Sequence, residues 1–244
     1  MITSKQNALV KEIRSLHNKK FRDGLGIYLV EGVKMVKEAL ALSACVKTVV
    51  CTQNGLETLG EIDCDTQLVS DQVFEYITGE KSPQGVIAIL QKPNVKVVKP
   101  TGSCLFLDGV SDPGNLGTII RTMACAGIKD LYLTDECADA FSPKAVRSSM
   151  SGIYNVNIMV GAREEILNAI NLPIIVADMG GENVFSTKIE GDFCLVIGNE
   201  AHGVSKTVRE KADKVVSIPM QKGMESLNAG VSAGILIYVI KNLP

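Results

Sequence analysis

The sequence predicts an α/β fold with a small N-terminal α/β sandwich and a larger C-terminal domain built on a parallel sheet. Short β-branched runs alternate with helical stretches along the chain, a pattern typical of parallel sheets with helices on both faces. The stretch KPNVKVVKPTGS at 92–103 has two prolines, a glycine and no helical period, so it is the natural linker. We therefore predict domains at 1–98 and 104–244, joined by a linker at 99–103.

The N-terminal domain is predicted to begin with a helix over Ser4–Lys20, because Ser4 can cap it and its apolar residues share one face. Asp23, Gly24 and Gly26 would end this helix. A second helix is expected over Gly32–Leu42. Strands are expected at Tyr28–Val30, Val46–Cys51, Gln67–Val69 and Val86–Leu90.

The C-terminal domain shows the same alternation on a larger scale. Strands are predicted at Cys104–Val110, Asp130–Thr134, Asn155–Val160, Ile174–Ala177, Cys194–Ile197 and Val215–Ile218. Helices are predicted at Leu116–Ala126, Ala145–Met150, Glu164–Ile170 and Ala229–Ile240, with a turn at 112–115. Neither GxGxxG nor GxxxxGK[ST] is present, which disfavours a dinucleotide-binding or P-loop enzyme.

The stretch from Val215 to Ile240 is where a ligand site is expected. It consists of a strand, a polar loop and a buried helix, and open α/β sheets place their ligands just beyond the carboxyl ends of strands. Glu225, Ser226 and Asn228 cluster in the loop. Either these polar groups face a ligand, or Ser226 or Asn228 simply caps the last helix.

The charge of the chain is uneven, although its formal net value is only −2. Residues 1–37 carry eight Lys and Arg against three acids, whereas residues 101–244 carry 12 basic and 16 acidic residues. A basic front end on an acidic body suggests phosphate binding, with candidate RNA contacts at Lys11, Arg14, Lys19 and Lys20. The alternative is an ordinary solvated helix face.

The cysteines and the apolar runs bear on metal binding and location. Seven cysteines with no CxxC pair indicate neither a zinc site nor a disulfide framework. The N-terminus has no apolar segment of the kind found in signal peptides. The longest apolar run, Ala229–Ile240, is too short to span a bilayer. We therefore expect a cytoplasmic protein with reduced thiols and no metal.

Three motifs carry a resemblance to a known family. They are LDGVSDPGNLGTIIRTMACAG at 107–127, FCLVIGNEAHGVS at 193–205, and IPM, ESLN and AGI after residue 217. In this order and spacing they resemble the SpoU family of RNA ribose 2′-O-methyltransferases, within the SPOUT class, over Leu105–Ile240. The segments YLVEG near Tyr28 and QGVIA near Gln84 resemble the family's small substrate-binding domain more weakly.

The resemblance implies a SPOUT-type α/β domain with a trefoil knot, an N-terminal RNA-binding domain, and S-adenosylmethionine (AdoMet) as methyl donor. It makes Arg121 the catalytic residue, acting either as a base activated by a substrate phosphate or as a cation near the reacting hydroxyl. We favour the electrostatic role because the pKa of arginine is very high. Glu200 would hold Arg121 through a charge-assisted pair. Asn115, Ser226 and Asn228 would complete the polar wall. The alternatives are a surface role for Arg121, turn formation by Asn115, and a helix-terminal role for Glu200.

The cofactor site is also assigned by resemblance. Backbone groups and apolar side chains at Ile197, Gly198, Ile218, Met220 and Leu227 are expected to hold the adenine. Backbone recognition leaves little trace in side chains. The only histidines, His17 and His202, lack the spacing of a Ser-His-Asp hydrolase.

Substrate and assembly follow from the same reasoning. The separate N-terminal domain makes ribosomal RNA the better expectation; the alternatives are transfer RNA, or a relative that binds RNA without catalysis. The last helix has no polar face before Lys241, so it must be covered on every side. The helix of the first motif could cover one side, within the chain or from a second subunit. We expect a homodimer built on the C-terminal domain.

Overall fold

A computed structural model gives the fold and describes residues 1–42, 44–221, 223 and 226–241. The chain forms two compact units. The first comprises Met1–Pro93 and Phe141–Tyr154, and the second comprises Asn94–Ala140 and Asn155–Pro244. The first unit thus ends before the expected linker, and it includes a segment that the sequence assigned to the C-terminal domain.

The expected linker packs into the second unit. Val95 and Val97 lie against its hydrophobic core, and the Tyr132 hydroxyl donates a 2.7 Å hydrogen bond to the carbonyl of Val98. Thr101 donates from both its backbone nitrogen and its hydroxyl to Asp130, each over 2.8 Å. Prolines and the absence of a helical period therefore marked an ordered extended segment rather than a free one.

The first unit is a four-stranded sheet covered by helices. Its sheet order is β1-β4-β2-β3, with β4 antiparallel to β1 and β2, and β2 parallel to β3. The elements are α1 (Ala8–Ser15), α2 (Lys19–Leu25), β1 (Ile27–Glu31), α3 (Val33–Ala41), β2 (Val46–Cys51), α4 (Gln53–Leu59), β3 (Thr66–Leu68), α5 (Asp71–Ile77) and β4 (Val86–Gln91).

The predicted helix over Ser4–Lys20 is wrong, because the chain forms two shorter helices there. Asn7, not Ser4, caps α1 by accepting from the backbone nitrogen of Leu9. Asn18 caps α2 in the same way. The buried Arg22 donates a 2.7 Å hydrogen bond to the carbonyl of Leu16, beyond the end of α1. The break lets this arginine satisfy a carbonyl that a continuous helix would have paired internally.

The second unit carries a six-stranded sheet, all parallel, in the order β10-β8-β9-β5-β6-β7. The remaining elements, in chain order, are β5 (Cys104–Asp108), α6 (Pro113–Cys125), β6 (Asp130–Thr134), α7 (Pro143–Ser149), a 3₁₀ helix (Met150–Tyr154), β7 (Asn157–Gly161), α8 (Arg163–Ala169), β8 (Ile174–Asn183), β9 (Cys194–Gly198), α9 (Lys206–Arg209), β10 (Lys214–Ser217) and α10 (Ala229–Ile240). Of these, α7 and the 3₁₀ helix belong to the first unit.

The segment Phe141–Tyr154 is tied to the first unit by several side chains. The rings of Phe141 and Tyr28 lie 4.9 Å apart between centroids. The Tyr154 hydroxyl donates to the carbonyl of Met35 over 3.1 Å, and Arg147 pairs with Glu80 at 2.6 Å. Aromatic packing and an ion pair thus make it part of that unit.

The strand order of the large sheet indicates where a ligand site lies. Strands β5, β6 and β7 are added in one direction, whereas β9, β8 and β10 lie on the other side of β5. Ligands bind beyond the carboxyl ends of strands where the direction of winding changes. Because all six strands are parallel, the loops after β5, β8, β9 and β10 meet at one edge. None of the described helices combines the length and hydropathy needed to cross a bilayer.

Candidate active site

A cavity of about 840 Å³ lies at this edge of the second unit, within the size range of small-molecule sites. It is lined by all five residues expected to hold a cofactor, namely Ile197, Gly198, Ile218, Met220 and Leu227. Four of the five predicted catalytic residues also line it: Asn115, Glu200, Ser226 and Asn228. Glu225, which the sequence groups with Ser226 and Asn228, lies outside the described residues.

A chain of hydrogen bonds links the three motif segments. Asn115 donates from Nδ2 to Oε1 of Glu200 over 2.9 Å. Asn228 donates from Nδ2 to Oδ1 of Asn115 over 2.8 Å. Each of these residues follows a different strand, β5, β9 or β10. The chain of bonds therefore fixes three loops relative to one another.

Asn228 caps the last helix and also contacts Asn115. Its Oδ1 accepts from the backbone nitrogens of Gly230 and Val231, over 2.9 and 3.2 Å, and so caps α10. Its amide nitrogen is then directed at Asn115. Asp112 caps α6 in turn by accepting from the backbone nitrogen of Asn115 over 2.8 Å, and Pro113 is the first helical residue. The predicted turn at 112–115 is thus the cap and first turn of α6.

The carboxylate of Glu200 determines the orientation of the Asn115 amide. A carboxylate can only accept, so the nitrogen of Asn115 must face it and the oxygen must face Asn228. The other N–H of the Asn115 amide has no partner among the described residues, so it can make a further hydrogen bond. In this orientation Asn115 can donate to an oxygen of a bound substrate.

Glu200 is held as an anion by the groups around it. Its carboxylate also accepts from the nitrogen and hydroxyl of Ser111, each over 3.1 Å, and from the nitrogen of Asp112 over 3.3 Å. Burial alone would raise the pKa of Glu200, but hydrogen bonds from Asn115 and from the Ser111 and Asp112 backbone outweigh it and lower that pKa.

We expect the Glu200→Gln variant to be less stable than the unaltered protein at neutral pH, with a difference that shrinks in acid. The amide leaves at least one donor among Asn115, Ser111 and Asp112 facing another donor. Because the folded-state pKa is lowered, the carboxylate's contribution is complete above the unfolded-state pKa of about 4.3 and is lost as pH falls through the folded value. Urea unfolding of both proteins from about pH 7 to pH 3 measures this. A stability difference that does not change with pH would contradict it.

The expected pair between Glu200 and Arg121 does not form within the described part of one chain. Arg121 is exposed, does not line the cavity, and within the described residues makes no ion pair with Glu200. Helix geometry explains this, because Asn115 and Arg121 are about 120° apart around α6 and about 9 Å apart along it. A side chain directed at Glu200 from Asn115 therefore leaves Arg121 on a different face.

The helix α6 packs against α10, and this contact defines the surroundings of Arg121. A Cβ built on Gly230 would lie 3.1 Å from the Thr118 methyl group, and one on Gly234 would lie 3.9 Å from that of Thr122. Lys241 donates from Nζ to the carbonyl of Ala126 over 2.8 Å. Since Thr118 lies three residues before Arg121, the arginine leaves α6 beside its contact with α10.

Strand β8 supplies a wall of the cavity that the sequence analysis missed. Its pairing with β10 shifts, since Val215 pairs with Val176 but Val216 pairs with Glu182. The intervening residues leave the ladder, and Ala177, Asp178 and Met179 line the cavity. Asp178 is fixed by a 2.6 Å pair with Arg209. The glycine pair after Met179 was the available signal, because glycines within a strand often mark a bulge.

The family follows from the comparisons with known proteins. The model of the SpoU rRNA Methylase family matches residues 102–238, more than half the chain, so the chain belongs to this family. A second model, the MRM3-like substrate binding domain, matches residues 7–88. The parallel α/β domain and the smaller N-terminal domain are thus those of a SPOUT-class protein.

Three relatives illustrate the extent of the similarity. The 23S rRNA (guanosine(2553)-2'-O)-methyltransferase RlmP of Bacillus subtilis (strain 168) is 32% identical, with 98% of each chain covered. An AdoMet-bound rRNA methyltransferase from Sinorhizobium meliloti is 29% identical with a TM-score of 0.88, covering 98% of this chain and 95% of that one. The TrmH/SpoU tRNA modifying enzyme of A. aeolicus is 27% identical with a TM-score of 0.50, covering 60% of this chain and 77% of that one.

Proposed function

We propose that this protein transfers a methyl group from AdoMet to a ribose 2′-hydroxyl of ribosomal RNA. The observation that carries the proposal is the hydrogen-bonded chain from Glu200 through Asn115 to Asn228 at the mouth of a cavity. Family membership and the named activity of RlmP support it.

The residues of the cavity fit AdoMet. Ile197, Ile218 and Leu236 provide apolar walls for an adenine, and the exposed backbone after β9 and β10 offers hydrogen-bonding groups. A Cβ on Gly198 would overlap backbone atoms of Gly203 and Val204, so only glycine allows the loop after β9 to fold back so closely. The bound cofactor would supply an electrophilic methyl group.

The protein's own residues would orient and activate the ribose. Asn115 has one N–H that no described residue accepts, and it would donate to a ribose or phosphate oxygen. Ser226 adds a hydroxyl on the same cavity wall. Holding the hydroxyl in line with the methyl donor supplies a large part of the rate enhancement in such reactions. A cation beside the hydroxyl would stabilise the negative charge that develops on its oxygen. We assign this role to Arg121.

Arg121 would act on the cavity of a second copy of the chain, in a homodimer formed through the second unit. Helix α10 is apolar all round, yet Val231 is 50% exposed and Tyr238 is 40% exposed. With the partly buried Ile235 they form a stripe at helical spacing, on a helix whose other sides face α6 and the sheet. In a dimer with two-fold symmetry, the stripe of each chain would be covered by the stripe of the other. Arg121 borders this surface. We also propose that the second unit contains the trefoil knot expected for the class.

Ribosomal RNA is preferred over transfer RNA because of the extent of the similarities. Relatives named for rRNA match nearly the whole of this chain, whereas the tRNA-modifying enzyme of A. aeolicus matches 60% of it. The model named for substrate binding matches residues 7–88, which lie in the first unit. All seven cysteines are free thiols, which fits the proposed cytoplasmic location.

Transfer of tritiated methyl groups tests the function. The protein is incubated with tritiated AdoMet and with ribosomal RNA or transfer RNA from cells that lack it. Label in ribosomal RNA, recovered as an alkali-resistant dinucleotide, is the expected result. Label in transfer RNA alone would favour the second substrate. AdoMet binding without transfer to either RNA would favour an RNA-binding relative that has lost catalysis.

We expect replacement of Lys11, Arg14, Lys19 and Lys20 by Gln to weaken RNA binding and to flatten its salt dependence. All four side chains are exposed, on α1 and α2 of the first unit. The slope of log K against log salt is negative, and each phosphate that the variant no longer neutralises should reduce its magnitude by about 0.7 to 0.9. Fluorescence anisotropy across a salt series measures the slope. If the variant has the slope of the unaltered protein, these residues are only a solvated face.

A further inference from the structure

An exposed tyrosine on the first unit lies beneath two cations. Tyr76 occupies the last turn of α5, and its side chain is 39% exposed. The Lys5 ammonium lies 5.1 Å from the ring centroid, and the Arg14 guanidinium carbon lies 5.3 Å from it. In the described part of the chain, no other ring has two cations over it.

The packing of α1 against α5 does not require this cluster. The two helices are held together by fully buried residues, including Val10 and Ile13 of α1 and Phe74 and Ile77 of α5. A cation over an exposed ring adds only about 0.5 to 1 kcal/mol. Tyr76 and its two cations are therefore available for a role at the surface.

The basic side chains of α1 near Tyr76 lie on one face of that helix and favour an anionic partner there. Lys11 lies three residues before Arg14, so both project from one face of α1, whereas Glu12 is about 160° from Arg14 around the helix. The carboxylates of α5 nearest to Tyr76 in sequence are Asp71 and Glu75, both exposed. On an ideal helix Asp71 lies about 140° from Tyr76 and Glu75 about 100° from it, so both carboxylates leave α5 in other directions.

We propose that Tyr76, Lys5 and Arg14 bind an unpaired nucleotide of the substrate RNA. The base would stack on the Tyr76 ring, and Lys5 and Arg14 would turn to the adjacent phosphates. Single-stranded nucleic acid is bound by this combination of an aromatic face and nearby cations. In a duplex the base faces are stacked on one another, so the site requires a loop, bulge or single strand. The inference rests on the proposed function only in taking RNA as the substrate.

The test is equilibrium binding of the full chain to fluorescein-labelled single-stranded RNA of about twelve nucleotides, with a duplex of equal length as the comparison. We expect Tyr76→Leu to weaken single-strand binding about tenfold, because a stacked base contributes about 1 to 3 kcal/mol. Tyr76→Phe keeps the ring and should bind like the unaltered protein. Duplex binding should not change in either variant.

The cations are tested separately through salt dependence. In the double variant Lys5→Gln with Arg14→Gln, the magnitude of the salt slope for the single strand should fall by about 0.7 for each phosphate that is no longer neutralised. Tyr76→Leu should leave that slope unchanged. Thermal unfolding confirms that each variant is folded. Equal single-strand affinity of Tyr76→Leu and Tyr76→Phe would overturn the proposal, as would an equal loss on duplex RNA.

These measurements are independent of methyl transfer. A protein that loses single-strand affinity in Tyr76→Leu but transfers no methyl group would keep this site and refute the proposed activity. A protein that transfers methyl groups but binds RNA equally well with leucine at 76 would keep the proposed activity and refute this site.

Discussion

Replacing Arg121 by alanine is expected to reduce methyl transfer about a hundredfold to a thousandfold, the usual effect of removing one group that stabilises developing negative charge. AdoMet affinity should stay close to that of the unaltered protein, because Arg121 is proposed to act on the ribose hydroxyl and not on the cofactor. Single-turnover transfer to ribosomal RNA and titration calorimetry measure the two quantities. Lys129→Ala, which removes another exposed cation of the second unit, is the matched control and should leave both unchanged.

Mixed dimers decide whether Arg121 acts on the partner's cavity. Arg121→Ala and Asn115→Ala chains are each expected to be nearly inactive alone, since one lacks the cation and the other a group of the cavity. If the site is shared, one of the two sites in each heterodimer combines an intact cavity with an intact arginine. Random mixing makes about half of the dimers heterodimers, so about a quarter of full activity should return. Sedimentation equilibrium establishes the dimer first. A mixture no more active than its components would place Arg121 outside the partner's site, and an active monomer would refute the assembly.

Replacing Gly198 by alanine is expected to have the largest effect on the fold of the site. The added methyl group would overlap the backbone of Gly203 and Val204, and backbone cannot yield as a flexible side chain can. The loop is closed there by hydrogen bonds of 3.0 and 2.9 Å between Asn199 and Gly203. We expect a loss of about 3 kcal/mol in the free energy of unfolding and loss of AdoMet binding, as for severe overpacking.

The matched control is Gly102→Ala, where the nearest atom to a new Cβ is a carboxylate oxygen of Asp192 at 3.7 Å. That substitution should change the free energy of unfolding by no more than about 0.5 kcal/mol. Urea unfolding and calorimetry with AdoMet give both quantities. If Gly198→Ala binds AdoMet normally, the close approach of the loop after β9 is not needed for the cofactor site.

The parts of this protein that the sequence predicted well are those decided by local pattern. Strands such as Val46–Cys51 and Asp130–Thr134, and the helix Ala229–Ile240, have the predicted bounds because apolar residues predominate in each segment. Asn115, Glu200 and Asn228 converge because each follows a parallel strand of one sheet. Motif order and strand direction are sufficient for that convergence.

The parts that were missed depend on contacts between distant segments. The end of α1 is decided by Arg22 reaching back to Leu16, and α2 begins anew at Asn18. The direction of Arg121 depends on where α6 begins, and Asp112 sets this through its cap. The bulge in β8 depends on the register of β10, which no local propensity encodes.

The segment Phe141–Tyr154 limits how this protein can be altered by recombination. Its sequence lies within the match to the catalytic family, yet its side chains complete the unit that begins at Met1. A chimaera that exchanges only the residues before Pro93 would set a foreign surface against Phe141, Arg147 and Tyr154. A change of RNA preference by exchange of the N-terminal part therefore has to bring this later segment with it.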